Sequence, residues 1–143
     1  MMWRRLAAFC MVLALGGCAG GPGSKPVAVD PALFQPVAGK AVIFVVRTAV
    51  DSDLAGPLLL DDTVTVSTMP GTYHRWVVDP GPHRIEGMGG SGIRLVLATA
   101  PGGVYYLRHS VYGSERRGPA GSALQQVDAA QGQELIMRAE KFP

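Results

Sequence analysis

The chain has 143 residues, with 13 Lys+Arg against 11 Asp+Glu and a net charge of +2, a size that suits one folded domain and a balance too even for an electrostatic nucleic-acid binder. A hydrophobic content of 48% excludes a disordered chain, while 19 Gly and 11 Pro argue for many turns and against a helical bundle. A compact, mainly β domain follows.

Arg4 and Arg5 precede an apolar run from Leu6 to Leu15, and small residues then lead to Cys18. That run is about half the roughly 20 residues a spanning helix needs, and it matches the core of an export signal. Leu15-Gly16-Gly17-Cys18 resembles the lipobox of bacterial lipoproteins. Small side chains at Gly16 and Gly17 admit the backbone to a peptidase, and the thiol that follows can accept a diacylglyceryl group. The resemblance implies residues 1–17 as a signal peptide, cleavage between Gly17 and Cys18, and a membrane anchor made of acyl chains on Cys18. Two or more such chains hold stably without help from the protein. Loss of Arg4 and Arg5 brings the 13 basic residues level with the 11 acidic ones, so no polybasic patch supplements the anchor. Cys10 leaves with the signal and Cys18 is consumed by lipid, so no disulfide, thiol nucleophile or thiolate metal ligand is expected. In the Gram-negative lipoprotein class an acidic residue after the lipidated position marks inner-membrane retention. Ala19 therefore implies an outer-membrane lipoprotein facing the periplasm, if the source is Gram-negative.

Residues 18–39 read as the lipidated Cys and a flexible tether, because Gly20, Gly21, Pro22, Gly23, Pro26, Pro31 and Pro36 stop helix and strand alike. A β-sandwich domain is expected over 40–143. Ala41 to Arg47 is apolar at both parities and predicts a central strand buried on two faces. Leu58 to Leu60 and Thr63 to Val66 flank Asp61-Asp62, a two-residue turn. Tyr73 to Val78 and His83 to Met88 flank Asp79-Pro80-Gly81-Pro82 and predict a hairpin. In that register Trp76 lies opposite Ile85 and Arg75 forms an ion pair with Glu86, with Trp76, Val78 and Ile85 facing the core and Tyr73, Arg75, Arg84 and Glu86 facing water. Ile93 to Leu97 and Val104 to His109 predict two further strands, Gly113 to Ser122 an exposed loop, and Leu124 to Val127 an edge strand. Asp128 with Gln131 resembles a capping box for a last helix with Leu135, Ile136 and Ala139 on its apolar stripe, although Gly132 inside it costs about 1 kcal/mol relative to Ala.

The order of Val46-Arg47, the Val78-to-His83 turn, Gly102-Gly103-Val104-Tyr105-Tyr106 and the Leu124-to-Leu135 segment resembles that of small proteobacterial lipoproteins with an uncharacterised domain. The resemblance spans roughly residues 40 to 139. It implies a small immunoglobulin-like or transthyretin-like sandwich, which with the six or seven strands and short C-terminal helix read from the residues makes a mainly all-β fold. It brings no activity to carry over.

Chemistry-bearing motifs fail on context. Gly87-Met88-Gly89-Gly90-Ser91-Gly92 fits G-x-G-x-x-G, but a strand rather than a helix is expected after it, which leaves no helix N-terminus for a pyrophosphate. His74, His83 and His109 lack metal-ligand spacing, Asp51/Asp53 and Asp61/Asp62 lack the third ligand of a calcium loop, and Ser67, Ser91, Ser110, Ser114 and Ser122 sit in no nucleophile elbow. No catalytic residue, metal or cofactor is expected. The first functional reading is a non-enzymatic, lipid-anchored envelope module that contacts an unidentified envelope protein or polymer and no nucleic acid. The alternative is a periplasmic binder of glycan or peptidoglycan fragments through Tyr105, Tyr112, Arg108, Arg116 and Arg117, with Tyr73 a further aromatic, since stacking rings and forked donors suit sugars and anionic groups.

Overall fold

The computed structural model describes residues 29–50, 52–87, 93–114 and 116–141. The expected signal peptide over residues 1–17, its expected cleavage site at Gly17 and the expected lipidation site at Cys18 lie outside the described residues. Among the described residues nine strands form two sheets: β1 (Ala41–Val46), β2 (Gly56–Leu60), β3 (Thr63–Thr68), β4 (Thr72–Val78), β5 (Gly81–Gly87), β6 (Arg94–Thr99), β7 (Val104–Ser114), β8 (Gly118–Val127) and β9 (Glu140–Lys141), with one α-helix, α1 (Ala129–Met137). The first sheet runs β8-β7-β1-β4-β9 and the second β3-β2-β5-β6. The result is a β-sandwich with a short C-terminal helix, as expected, although the count exceeds six or seven strands. An immunoglobulin sandwich keeps its first, second, fourth and fifth strands in one sheet. Here β1 and β4 lie opposite β2 and β5, so the strand order is not the immunoglobulin one.

β1 occupies the centre, antiparallel to β4 and parallel to β7, and every one of its residues is buried. Its alternation explains why both parities are apolar. Ile43 and Val45 point between the sheets with Leu58, Trp76, Ile85, Leu97 and Leu107. Val42, Phe44 and Val46 point the other way, under α1, with Tyr73, Tyr106, Val127 and Ile136. Phe44 stacks on Tyr106 with centroids 5.4 Å apart. The fold thus has three layers, and Tyr73, expected to face water, is buried because the helix layer covers its side of the sheet.

The Asp61-Asp62 turn joins β2 to β3 as expected, with φ of 50° and 67° at its two residues, the left-handed pair that a type I′ hairpin requires. The expected hairpin at 79–82 is corrected. β4 pairs with β1 and β5 with β2 and β6, so the Asp79-Pro80 turn carries the chain from one sheet to the other. Trp76 lies beside Ile43 rather than Ile85, while Trp76 and Ile85 still meet in the inter-sheet core. The Arg75–Glu86 pair gives way to Glu86 with Arg84 and Arg94 on the second sheet, and Arg75 sits over the Phe44 ring at 5.9 Å. The expected loop at 113–122 is also corrected, since β7 continues to Ser114 and β8 begins at Gly118. Residues 31–37, assigned above to the tether, form a 3₁₀ turn over Pro31–Phe34 capped by Asp30 and bring Leu33, Phe34 and Val37 against the helix-side core.

Asp128 caps α1 by accepting the Gln131 N–H at 2.8 Å. Gly132 has a reason the sequence hides: a Cβ there would lie 2.3–2.5 Å from Cγ, Cβ and Cδ1 of Tyr106. Helix propensity alone gives Gly132→Ala a gain of about 1 kcal/mol. The overlap with a ring already packed on Phe44 reverses the sign, and the expected result is a net loss, with overpacking costing roughly 1–3 kcal/mol. Urea midpoints of Gly132→Ala in the native and Tyr106→Leu backgrounds check this. An Ala that stabilises the native background would mean that the helix shifts freely on the sheet.

Candidate functional site

β7 runs parallel to β1 and extends well past it; beyond β1 its His109 and Val111 stay buried against Gly56 of β2, and from Tyr112 to Ser114 the β7–β8 hairpin is exposed. Five residues along it were candidate contacts. Tyr105 shares its parity with Leu107 and packs against the inter-sheet core, and its hydroxyl accepts the Ala100 N–H at 2.9 Å. Arg108 points to the other face and donates to Gln125 Oε1 at 2.6 Å. Tyr112 is 57% exposed, and Arg116 and Arg117 are exposed at the tip. At about 3.3 Å per residue, Tyr105 and the tip are separated by roughly 30 Å, so one small ligand cannot touch both. Tyr112, Arg116 and Arg117 are the exposed candidates that fall within six consecutive residues at the tip.

Beneath the same end lies a buried polar network. Arg47 follows β1 and is fully buried; its Nη1 donates to Leu54 O at 2.5 Å and Thr68 O at 3.0 Å, and its Nη2 donates to Ser52 O. Thr68 Oγ1 donates to Gly56 O at 3.1 Å and lies 2.8 Å from Nδ1 of buried His109. With the hydroxyl proton committed to Gly56, Nδ1–H of His109 is the donor to Thr68. The network ties β1 and β7 of one sheet to β2 and β3 of the other. A mostly apolar groove of about 260 Å³ opens above it, lined by Arg47, Val50, Gly71, Leu135, Arg138 and Ala139 among others.

The opposite end carries a row of charges. Lys40 Nζ donates to Asp79 Oδ1 at 2.5 Å. His83 reaches Asp61 Oδ2 with Nδ1 and the Asp79 carbonyl with Nε2, each at 2.7 Å. Asp61 Oδ1 accepts the Arg84 N–H at 2.8 Å, and Asp62 pairs with Arg84. Asp61 is pulled opposite ways: burial raises its pKa, but the bonds from Arg84 and His83 outweigh this and hold it below the ordinary carboxylate value. Nothing in the local sequence announces this row, because its members come from four separate segments.

The three histidines occupy separate places, His74 edge-on to Trp76 at 5.5 Å, His83 at the charged end and His109 in the buried network. Among the described residues no group of three His, Cys, Asp or Glu side chains is placed to hold a metal ion. Asp53 is exposed, and Asp51 lies outside the described residues. Of the G-x-G-x-x-G run only Gly87 is described. It ends β5 where the sheets nearly touch, a Cβ there falling 2.0 Å from Ser122 Oγ, and β6 is the next described element after it. Comparison with protein-family models, with curated proteins and with solved structures found no match for this chain.

Proposed function

We propose that this chain is a lipid-anchored envelope protein whose sandwich serves as a non-enzymatic interaction module, attached through acyl chains on Cys18 and, in a Gram-negative source, facing the periplasm from the outer membrane. The observation that carries the reading is the run Arg4 to Cys18, in which charged start, short apolar core and Leu15-Gly16-Gly17-Cys18 agree. The docking of Leu33, Phe34 and Val37 supports a short leash. Only about 12 residues separate Cys18 from the 3₁₀ turn, a reach of at most roughly 40 Å when extended, so partners lie close to the membrane.

A second reading, binding of glycan or peptidoglycan fragments, now rests on Tyr112, Arg116 and Arg117 at the hairpin tip, since Tyr105 is turned into the core. Two measurements test the proposal. A Cys18→Ser chain is expected to leave the membrane fraction, and retention after high-salt washing would sink the anchor. Crosslinking through the hairpin tip in intact envelopes separates the readings, a protein adduct favouring the module and a glycan-strand adduct favouring the binder.

A further inference from the structure

We propose that His83 is the proton-operated link of a polar strap, Lys40–Asp79–His83–Asp61, that closes one end of the sandwich when the imidazole is doubly protonated and loosens it when the proton leaves.

Two acceptors set the protonation of the ring. The Asp79 carbonyl can only accept, so Nε2 must carry hydrogen; Asp61, with Oδ1 on the Arg84 N–H and Oδ2 on His83, is an ionised carboxylate that also only accepts. Both ring nitrogens are therefore donors, and the imidazolium is the form this geometry holds. A neutral ring has one N–H, so either Asp61 or Asp79 would then face a lone pair at a distance set for a donor. The strap spans both sheets, because Lys40 precedes β1, Asp79 sits on the crossover from β4 to β5, and Asp61 sits in the β2–β3 turn. That turn holds two aspartates at positive φ, a conformation that residues other than Gly adopt at a cost, and Asp61 ties it to β5 through Oδ1 to the Arg84 N–H, Oδ2 to His83 and its own N–H to the Arg84 carbonyl.

Every charged group near the ring bears on its titration. Asp61 and Asp79 face it directly; Lys40 engages the Asp79 carboxylate, Arg84 engages Asp61 and Asp62, and Glu86 lies beyond, paired with Arg84 and Arg94. β6 presents only Leu97 opposite His83. Burial alone would lower the His83 pKa, but the Asp61 bond, the Asp79 carbonyl and the charges of Asp61 and Asp79 together raise it above the ordinary value. A raised folded pKa contributes stability fully at a pH below the unfolded value of about 6.5, and that contribution disappears as pH rises through the folded pKa.

The test measures urea midpoints of the full chain in detergent across pH 5 to 9, together with an NMR titration of the His83 ring and hydrogen-exchange protection of the Arg84 amide. The expected result is a wild-type midpoint that falls as pH climbs through the His83 titration, with Arg84 protection falling in step. His83→Gln should lose at least half of that pH slope. Asp61→Asn should keep the fold and move the His83 titration down by at least about one pH unit. A wild-type midpoint flat over this range, a slope unchanged in His83→Gln, or a His83 titration indifferent to Asp61→Asn would each overturn the proposal.

Discussion

Trp76→Ala is expected to lower stability by about 3–5 kcal/mol, the range for truncating a buried aromatic. Trp76 is 7% exposed and stands between the sheets with Ile43, Leu58, Ile85 and Leu107, so the vacancy would be walled by strands of both sheets that cannot collapse into it without breaking their ladders. A small domain holds about 5–15 kcal/mol in total, and at roughly 1–3 kcal/mol per molar urea the midpoint should drop by more than about 1 M. An unchanged midpoint would mean that the indole is dispensable to the sandwich.

Arg47→Met is the second large effect. Three carbonyls, of Ser52, Leu54 and Thr68, take their donors from this one guanidinium, and bonds to a charged group are worth about 1.5–3 kcal/mol each, with the cost of stranding the acceptors included in such losses. The expected loss is at least about 3 kcal/mol after allowing for non-additivity. Arg47→Lys keeps the charge but gathers its donors at one point, where the guanidinium spreads them across a fork, so it should restore only part. Urea midpoints of both variants, with amide-exchange protection of residues 52–56, give the check. Full rescue by Lys would show that charge rather than fork geometry holds the segment.

These features are legible in the sequence to unequal degrees, for physical reasons. Ala41 to Val46 is apolar at both parities because two layers press on it, and that pattern is visible without any knowledge of partners. Asp79-Pro80-Gly81-Pro82 announces a reversal equally clearly, but turn chemistry is local. It does not say whether the next strand pairs with the last one or crosses to the facing sheet. Trp76 and Ile85 read as core residues either way, so the wrong pairing still placed them correctly. Gly113 to Ser122 reads as loop because Gly and Pro are poor strand formers, whereas there the pairing of β7 with β8 overrides propensity. Gly132 lowers helix propensity when read alone, and its reason lies in the Tyr106 ring packed beneath it. The His83 strap and the Arg47 network were illegible because each joins residues distant along the chain, and no spacing rule connects Lys40 to Asp79 or Arg47 to Thr68.

The central position of β1 also has a meaning for how the protein is made. Ala-Val-Ile-Phe-Val-Val carries no charge, no proline and strong β propensity, the composition of a segment that self-associates when exposed. Its antiparallel partner β4 arrives some thirty residues later, and Val42 waits for Val104, a closure of about sixty residues that makes this pairing slow to form. The most adhesive stretch of the chain is thus synthesised early and sheltered late. A newly made chain spends that interval vulnerable to its neighbours, so the demand on holding chaperones falls on the first strand rather than on the long hairpin or the helix that finally covers it.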